Sequence, residues 1–128
     1  MKENLVLLDG AMGSLIYEKG VFIDKCYDEL NLSRPELIRS IHEEYIRAGA
    51  RVIETNTYGA NRFKLKSHNL LDQLEEINLK GVALAREAVG DSSYVAGSRG
   101  PSGLESEPWG ETTLAAIYEA YAEQAACL

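Results

Sequence analysis

Three short apolar segments recur along the 128-residue chain, and a longer stretch with helical periodicity follows each of them. The apolar segments are LVLLD (5–9), ARVIETNTY (50–58) and SYVAGS (93–98). Near-continuous apolar strands that alternate with helices are typical of a parallel sheet joined by helical crossovers. The sequence therefore predicts an α/β fold with the order β-α-β-α-β-α.

The three predicted helices carry recognisable end signals. Ser33 and Glu36 form an S-x-x-E pattern, typical of a capping box at a helix start, with Pro35 tolerated in the first turn. The second helix is predicted over 70–89, with Gly90 just beyond its end. The third is predicted from Thr113 to the terminus. Its apolar side is expected to consist of Leu114, Ile117, Tyr118, Tyr121 and Ala125.

Charge and hydropathy exclude two classes of partner. A formal net charge of -7 would repel a nucleic acid backbone, and no cluster of Lys and Arg interleaved with aromatic residues offsets it. The apolar runs are too short to span a membrane, and the N-terminus lacks the apolar core of a signal peptide. We therefore expect a cytoplasmic protein with neither a nucleic acid nor a membrane partner.

The two cysteines, Cys26 and Cys127, lie about a hundred positions apart and outside any C-x-x-C pattern. Isolated reduced thiols are the favoured interpretation, ahead of a disulfide or a metal pair.

Small and polar residues follow the predicted strands, in DGAMG (9–13), TNTYGAN (55–61) and GSRGP (97–101). Ligands of parallel α/β folds bind beyond the carboxyl ends of the strands. The Asp9 carboxylate can hold an ammonium group, while glycines expose backbone N–H groups to a carboxylate, so the combination suits an amino acid. Two plainer interpretations stay open. Asp9-Gly10 is also compatible with a simple turn, and Asn56 with the satisfaction of backbone groups at a strand end.

Three segments resemble the N-terminal part of the homocysteine S-methyltransferase family: LLDGAMGS, ELNLSRPELIRSIHEEYIRAGARVIETNTYGANRFKL and VAGSRGPSG. The similarity runs from Leu5 to Gln124. It implies a (β/α)8 TIM barrel, of which this chain holds about the first three βα units. Because a full barrel needs about 250 residues, residues 1–128 are expected to be the N-terminal portion of a homocysteine-binding domain, truncated at its C-terminus.

The resemblance also implies a reaction for the intact domain. Zinc held by three cysteine thiolates activates the thiol of homocysteine, which takes a methyl group from a methylated folate, cobalamin, betaine or S-methylmethionine donor to give methionine. The family's zinc cysteines belong to later strands, and Cys26 and Cys127 match neither of their motifs. We therefore expect no metal ligand and no catalytic residue in this chain, and an inactive protein when it is alone.

Substrate-binding residues are carried over by position. Asp9, Gly10 and Ala11 match the stretch that receives the amino acid end of homocysteine, and Asn56 and Thr57 match the segment that lines the same mouth. One departure concerns the third strand end, where Arg99 replaces an apolar residue of the family pattern Gly-[Ser/Asp]-Ile-Gly-Pro.

Two alternative functions remain at this point. A non-catalytic partial barrel would act as an interaction module that assembles with another chain or with itself, since its sheet edges are open. A phosphate-binding barrel of another family would use Gly97–Gly103 as an anion loop, although no lysine follows that loop.

Overall fold

A computed structural model describes residues 5–128, as a mixed α/β arrangement. Its helices are α1 (Met12–Glu18), α2 (Leu30–Ser33), α3 (Pro35–Arg47), α4 (Arg62–Ser67), α5 (Leu74–Val89) and α6 (Leu114–Ala125), and a 3-10 turn at Leu71–Gln73 precedes α5. The strands are β1 (Val52–Glu54) and β2 (Tyr94–Ala96). The predicted α/β class is confirmed.

Strands β1 and β2 pair in parallel, with Ile53 opposite Val95. Parallel neighbours need a long crossover, and here α4 and α5 provide it. Ile53 is fully buried, whereas Glu54, the next residue, is exposed. One face of the pair is therefore covered by helices, and the carboxyl end of β1 leads directly into the TNTYGAN segment.

The predicted first strand, 5–9, is present only as an isolated parallel bridge between Leu8 and Val52. Three backbone hydrogen bonds keep the segment beside β1: the Leu7 carbonyl accepts the Arg51 N–H at 2.7 Å and the Val52 N–H at 3.3 Å, and the Asp9 N–H donates to the Val52 carbonyl at 3.0 Å. The apolar side chains are nonetheless open to solvent, with Leu5 92% and Leu8 51% exposed. Among the described residues only β1 pairs with this segment, and a strand paired on one flank with little packing is weakly held.

The capping-box prediction is wrong. Ser33 is the last residue of α2, and α3 begins at Pro35 after Arg34, which has no side-chain cap. Because Ser33 is itself helical, it cannot adopt the extended backbone that an N-cap requires. Its Oγ instead donates to Glu29 Oε2 at 2.8 Å. The proline at the first helical position is as expected.

The second predicted helix is confirmed, with its first turn tightened into the 3-10 turn. Gly90 ends it with φ of +50°, a value that favours glycine. Helices α3 and α5 pack on the sheet through apolar side chains. The buried apolar cluster at the sheet consists of Ala50, Ile53, Ala85 and Val89.

Helix α6 begins where predicted, with Thr113 Oγ1 accepting the Ala116 N–H at 3.1 Å. Its predicted apolar side is wrong, because Leu114 and Tyr118 are 66% and 74% exposed. The residues that α6 buries are Ala120 and Gln124. Ala120 is small and allows close packing, and Gln124 is held by hydrogen bonds. The buried face of α6 is therefore not the one that the spacing of its large apolar residues predicts.

Within residues 5–128 we find no helix that combines the length and apolar character needed to cross a bilayer.

Candidate functional site

A cavity of about 470 Å³ lies at the carboxyl end of β1, where the predicted mouth of the fold would be. Its walls come from four parts of the chain: the DGAMG segment, the loop before α2, the TNTYGAN segment with α4 and its C-cap, and the segment after β2. The lining residues include Asp9, Gly10, Ala11, Cys26, Asp28, Glu54, Asn56, Tyr58, Lys64 and Ser98.

Asp9 lies at the edge of this cavity, beside the end of β1. Its Oδ2 accepts the Glu54 N–H at 2.9 Å. Partial burial raises the pKa of the Asp9 carboxyl, and the negative charge of Glu54 raises it further, while the Glu54 N–H acts in the opposite direction. A cationic group bound in the cavity would favour the ionised form of Asp9.

Gly10 and Ala11 continue the same wall, and Tyr45 of α3 fixes their position. Tyr45 Oη donates to the Ala11 carbonyl at 3.1 Å. A Cβ at position 10 would lie 3.0 Å from the same phenol oxygen. Glycine therefore brings the backbone against Tyr45 more closely than most side chains would permit.

Asn56 lines the cavity but is buried, and its amide group serves the protein. Its Nδ2 donates to the Tyr27 carbonyl at 2.8 Å and to Asn31 Oδ1 at 3.1 Å. Asn31 Nδ2 in turn donates to the Asn56 carbonyl at 2.8 Å. This geometry agrees with the plainer interpretation, in which Asn56 satisfies backbone groups.

Thr57 is fully buried and is not among the residues that line the cavity. Its Oγ1 donates to the Ser98 carbonyl at 2.7 Å and is 2.6 Å from Thr55 Oγ1. The structure thus brings Asp9, Gly10, Ala11 and Asn56 to one cavity and places Thr57 behind its wall.

Asp28, Glu54, Tyr58 and Lys64 also line the cavity, although sequence reasoning did not select them. Glu54 and Tyr58 flank the TNT motif, and this proximity could have identified them. Lys64 is placed by Asn61, which caps α4 by accepting the Phe63 and Lys64 N–H groups at 3.1 Å. Asp28 carries no signal in the sequence, because an acid in a long polar loop is usually exposed.

The segment 97–103 is poorly suited to an anion. The Ser98 N–H donates to Thr55 Oγ1 at 2.9 Å, and the Gly100 N–H donates to the Tyr58 carbonyl at 2.8 Å. These donors are used within the protein, which weighs against the phosphate-binding alternative. The Arg99 side chain contacts α6 instead of the cavity. Its guanidinium carbon lies 4.6 Å from the centroid of the Tyr121 ring, and its Nη1 donates to the Tyr121 carbonyl at 3.1 Å.

The donor set of residues 5–128 does not fit zinc. No three His, Cys, Asp or Glu side chains in this range are grouped as metal ligands. Cys26 and Cys127 are free thiols whose pKa values are raised, mainly by burial, whereas a zinc site stabilises the thiolate.

A family model for homocysteine S-methyltransferase matches residues 6–128. The chain belongs to the homocysteine S-methyltransferase family. The family resemblance inferred from the sequence is therefore confirmed, and the cavity described above lies in a domain of that family.

Relatives and solved structures agree with this membership. The chain is 33% identical to methionine synthase of Mycobacterium tuberculosis and 30% identical to that of Mycobacterium leprae, in each case over 98% of this chain and 11% of the relative. The homocysteine methyltransferase MmuM of Escherichia coli, in a metallated form, superposes with a TM-score of 0.69 at 32% identity. That match covers 78% of this chain and 39% of the enzyme, so the chain spans only part of the relatives' length.

Proposed function

We propose that the chain supplies part of the homocysteine-binding mouth of a homocysteine S-methyltransferase domain. The family match supports the activity, and the partial coverage of the solved relative supports the assignment of the chain to a part of that domain. The assignment of residues 1–128 to its N-terminal portion rests on the motif resemblance alone. In this proposal the fold of the intact domain is a (β/α)8 barrel, and the chain contributes about the first three βα units.

The observation that carries the proposal is the Asp9 carboxylate at the edge of the cavity, next to the bared backbone of Gly10. Asp9 binds the ammonium group of homocysteine, and the backbone at Gly10 and Ala11 receives its carboxylate. Asn56 forms part of the cavity wall, and Thr57 lies behind that wall, bonded to Ser98 and close to Thr55. The amino acid is held by its polar end, and its thiol is left free for reaction.

Methyl transfer to the homocysteine thiol, giving methionine, is proposed for the intact domain only. Zinc, when it is bound there, supplies the activation of the thiol, and its ligands lie outside this chain. Asp9 and its neighbours act by binding and orienting the substrate. The donor is of the methylated folate, cobalamin, betaine or S-methylmethionine type.

A second candidate function is a non-catalytic module that binds another protein chain. Exposed apolar residues beside the strands favour it, above all Leu5 at 92% and Tyr94 at 75% exposure. The two candidates differ in whether the cavity binds an amino acid.

The test is a titration of the reduced, ¹⁵N-labelled chain with L-homocysteine, followed by NMR. We expect saturable shifts at Gly10, Ala11 and Asn56, and none with 4-mercaptobutanoic acid, which lacks the ammonium group. Asp9→Asn should weaken binding about tenfold, as expected for loss of a charge-assisted contact. The control Asp91→Asn, at an exposed position, should bind normally. Equal shifts with both ligands would refute the role of Asp9.

A further inference from the structure

Two hydrogen bonds join the loop before α2 to the TNTYGAN segment, one on each side of Tyr58 in the chain. The Tyr27 carbonyl accepts from Asn56 Nδ2 at 2.8 Å. Asp28 Oδ1 accepts the Gly59 N–H at 2.9 Å. Asn56 and Gly59, which lie on either side of Tyr58 in the chain, are therefore attached to two consecutive residues of the loop.

Asp28 is held tightly in this position. Its side chain is buried, with a relative exposure of 9%. A Cβ at position 59 would lie 2.6 Å from Asp28 Oδ2, so the carboxylate packs directly on the glycine backbone. The carbonyl of Asp28 accepts the Asn31 N–H at 3.2 Å, which ties the same residue to the start of α2. Asp28 is thus a rigid link between two walls of the cavity.

Tyr58 is 57% exposed and lines the cavity. Its carbonyl accepts the Gly100 N–H, and a Cβ at Gly100 would lie 2.7 Å from its ring. The Lys64 ammonium is 5.6 Å from the ring centroid. The backbone of Tyr58 is therefore fixed on both sides, while its ring is left at the cavity rim.

We propose that Asp28 is a positioning residue of the homocysteine site, which acts by holding Gly59 so that the Tyr58 ring stays at the rim of the cavity. The inference rests on the proposed function above for the identity of the ligand. The effect of Asp28 on the position of Tyr58 can be measured without a ligand, so it can be tested separately from homocysteine binding.

Two titratable groups face the Asp28 carboxylate. The Cys26 thiol donates to Oδ2 at 3.8 Å, and the Lys64 ammonium is close enough to favour the ionised form. Burial outweighs these contacts and the Gly59 bond, and it raises the pKa of Asp28 above the ordinary value. Because an ionised carboxylate is the stronger acceptor, acidification should loosen Gly59 before the protein unfolds.

The first experiment is a pH titration of the full chain by NMR, from neutral to mildly acidic pH. We expect the Gly59 amide and the Tyr58 ring signals to shift together, with one midpoint above that of an exposed aspartate. Asp28→Asn should abolish both shifts, since its amide oxygen still accepts the Gly59 N–H but does not titrate. Asp24→Asn, an exposed control in the same loop, should leave them unchanged. A Tyr58 ring that does not respond, or that responds equally in Asp28→Asn, overturns the proposal.

The second experiment measures L-homocysteine affinity. Asp28→Ala should bind about tenfold more weakly, because the Gly59 N–H loses its buried acceptor. Asp28→Asn should restore affinity to within about threefold of the wild type, since one acceptor is kept. Unchanged affinity in a folded Asp28→Ala overturns the proposal; if this variant does not fold, the titration of Asp28→Asn decides. A wild-type chain that binds no homocysteine refutes the proposed function, while the Tyr58 readout still tests Asp28.

Discussion

Gln124 in α6 donates through Nε2 to the carbonyl of Thr57, 67 positions earlier in the chain, at 2.8 Å. The same nitrogen is 3.2 Å from Asn78 Oδ1, and Asn78 Nδ2 donates to the Ala60 carbonyl at 2.9 Å. Together with Asn31, these buried amides hold the TNTYGAN segment from behind. The wall of the cavity is therefore set by side chains of helices that do not reach it.

Gln124→Ala should lower the free energy of unfolding by about 1–3 kcal/mol, because it leaves the Thr57 carbonyl and Asn78 Oδ1 buried without this donor. Urea unfolding followed by circular dichroism measures the change. Glu119→Ala, at an exposed position of the same helix, should change stability by less than about 0.5 kcal/mol. Equal effects of the two substitutions would contradict the structural role of Gln124.

Gly81→Ala should destabilise the protein by about 1–3 kcal/mol through overpacking, although alanine favours a helix. Its Cβ would lie 2.7 Å from Thr57 Cγ2 and 2.8 Å from Asn31 Nδ2. The matched control is Gly13→Ala in α1, where the nearest atom would be 3.6 Å away in Tyr27. In thermal unfolding, Gly81→Ala should lower the melting temperature, whereas Gly13→Ala should leave it unchanged or raise it.

His42 should make stability depend on pH. The ring is fully buried, and neither nitrogen has a partner among the described residues. Burial lowers the pKa of His42 from 6.5 to about 4. Between these values the unfolded state binds more protons, so the contribution is full above pH 6.5 and is lost as the pH falls toward 4. The loss amounts to roughly 3 kcal/mol.

The measurement compares the wild type with His42→Phe in urea at a series of pH values. Asp9 and Asp28 have raised pKa values, so their contribution to stability increases as the pH falls, opposite to that of His42. Both carboxyls are present in the wild type and in His42→Phe, so the difference in stability between these two proteins isolates His42. The exposed His68→Gln should follow the wild type. A constant difference between wild type and His42→Phe from pH 7 to 4 would contradict the prediction.

The isolated chain should self-associate at micromolar concentration, because the segment 5–8 and the outer side of β2 leave apolar groups uncovered. Sedimentation velocity should give dimers or larger species. Tyr94→Lys, which places a charge beside the β2 edge, should shift the distribution toward monomer, whereas Tyr17→Lys on α1 should not. A monodisperse wild-type monomer with a sharp cooperative melt would contradict the prediction.

Patterns near a strand end were informative, whereas contacts over long sequence distances were not. Asn56 was placed at the cavity because it follows a predicted strand, and the structure puts it there. Its hydrogen bonds to Tyr27 and Asn31 depend on how the loop before α2 folds back, which periodicity does not encode. Gln124 was missed for the same reason, since a polar residue on a helix is usually a solvated one.

Local signals also failed where a neighbouring element competed for the same residue. Ser33 matches a capping box in sequence, but α2 incorporates it into a helical turn. The segment 5–9 has the composition of a buried strand, yet a strand of this kind depends on packing of its side chains as well as on pairing, and its apolar side chains lie largely open to solvent.

The contact between Tyr45 and Gly10 couples two positions that are 35 residues apart in sequence. A Cβ at position 10 would press on the phenol of Tyr45, 3.0 Å from its oxygen, and on no closer backbone atom, so shortening residue 45 would make room for it. In genetic terms, a change at 45 would act as a suppressor of a change at 10, and neither substitution would be neutral alone. The dimensions of the mouth can therefore be altered from the outer helix layer, without touching the strand ends themselves.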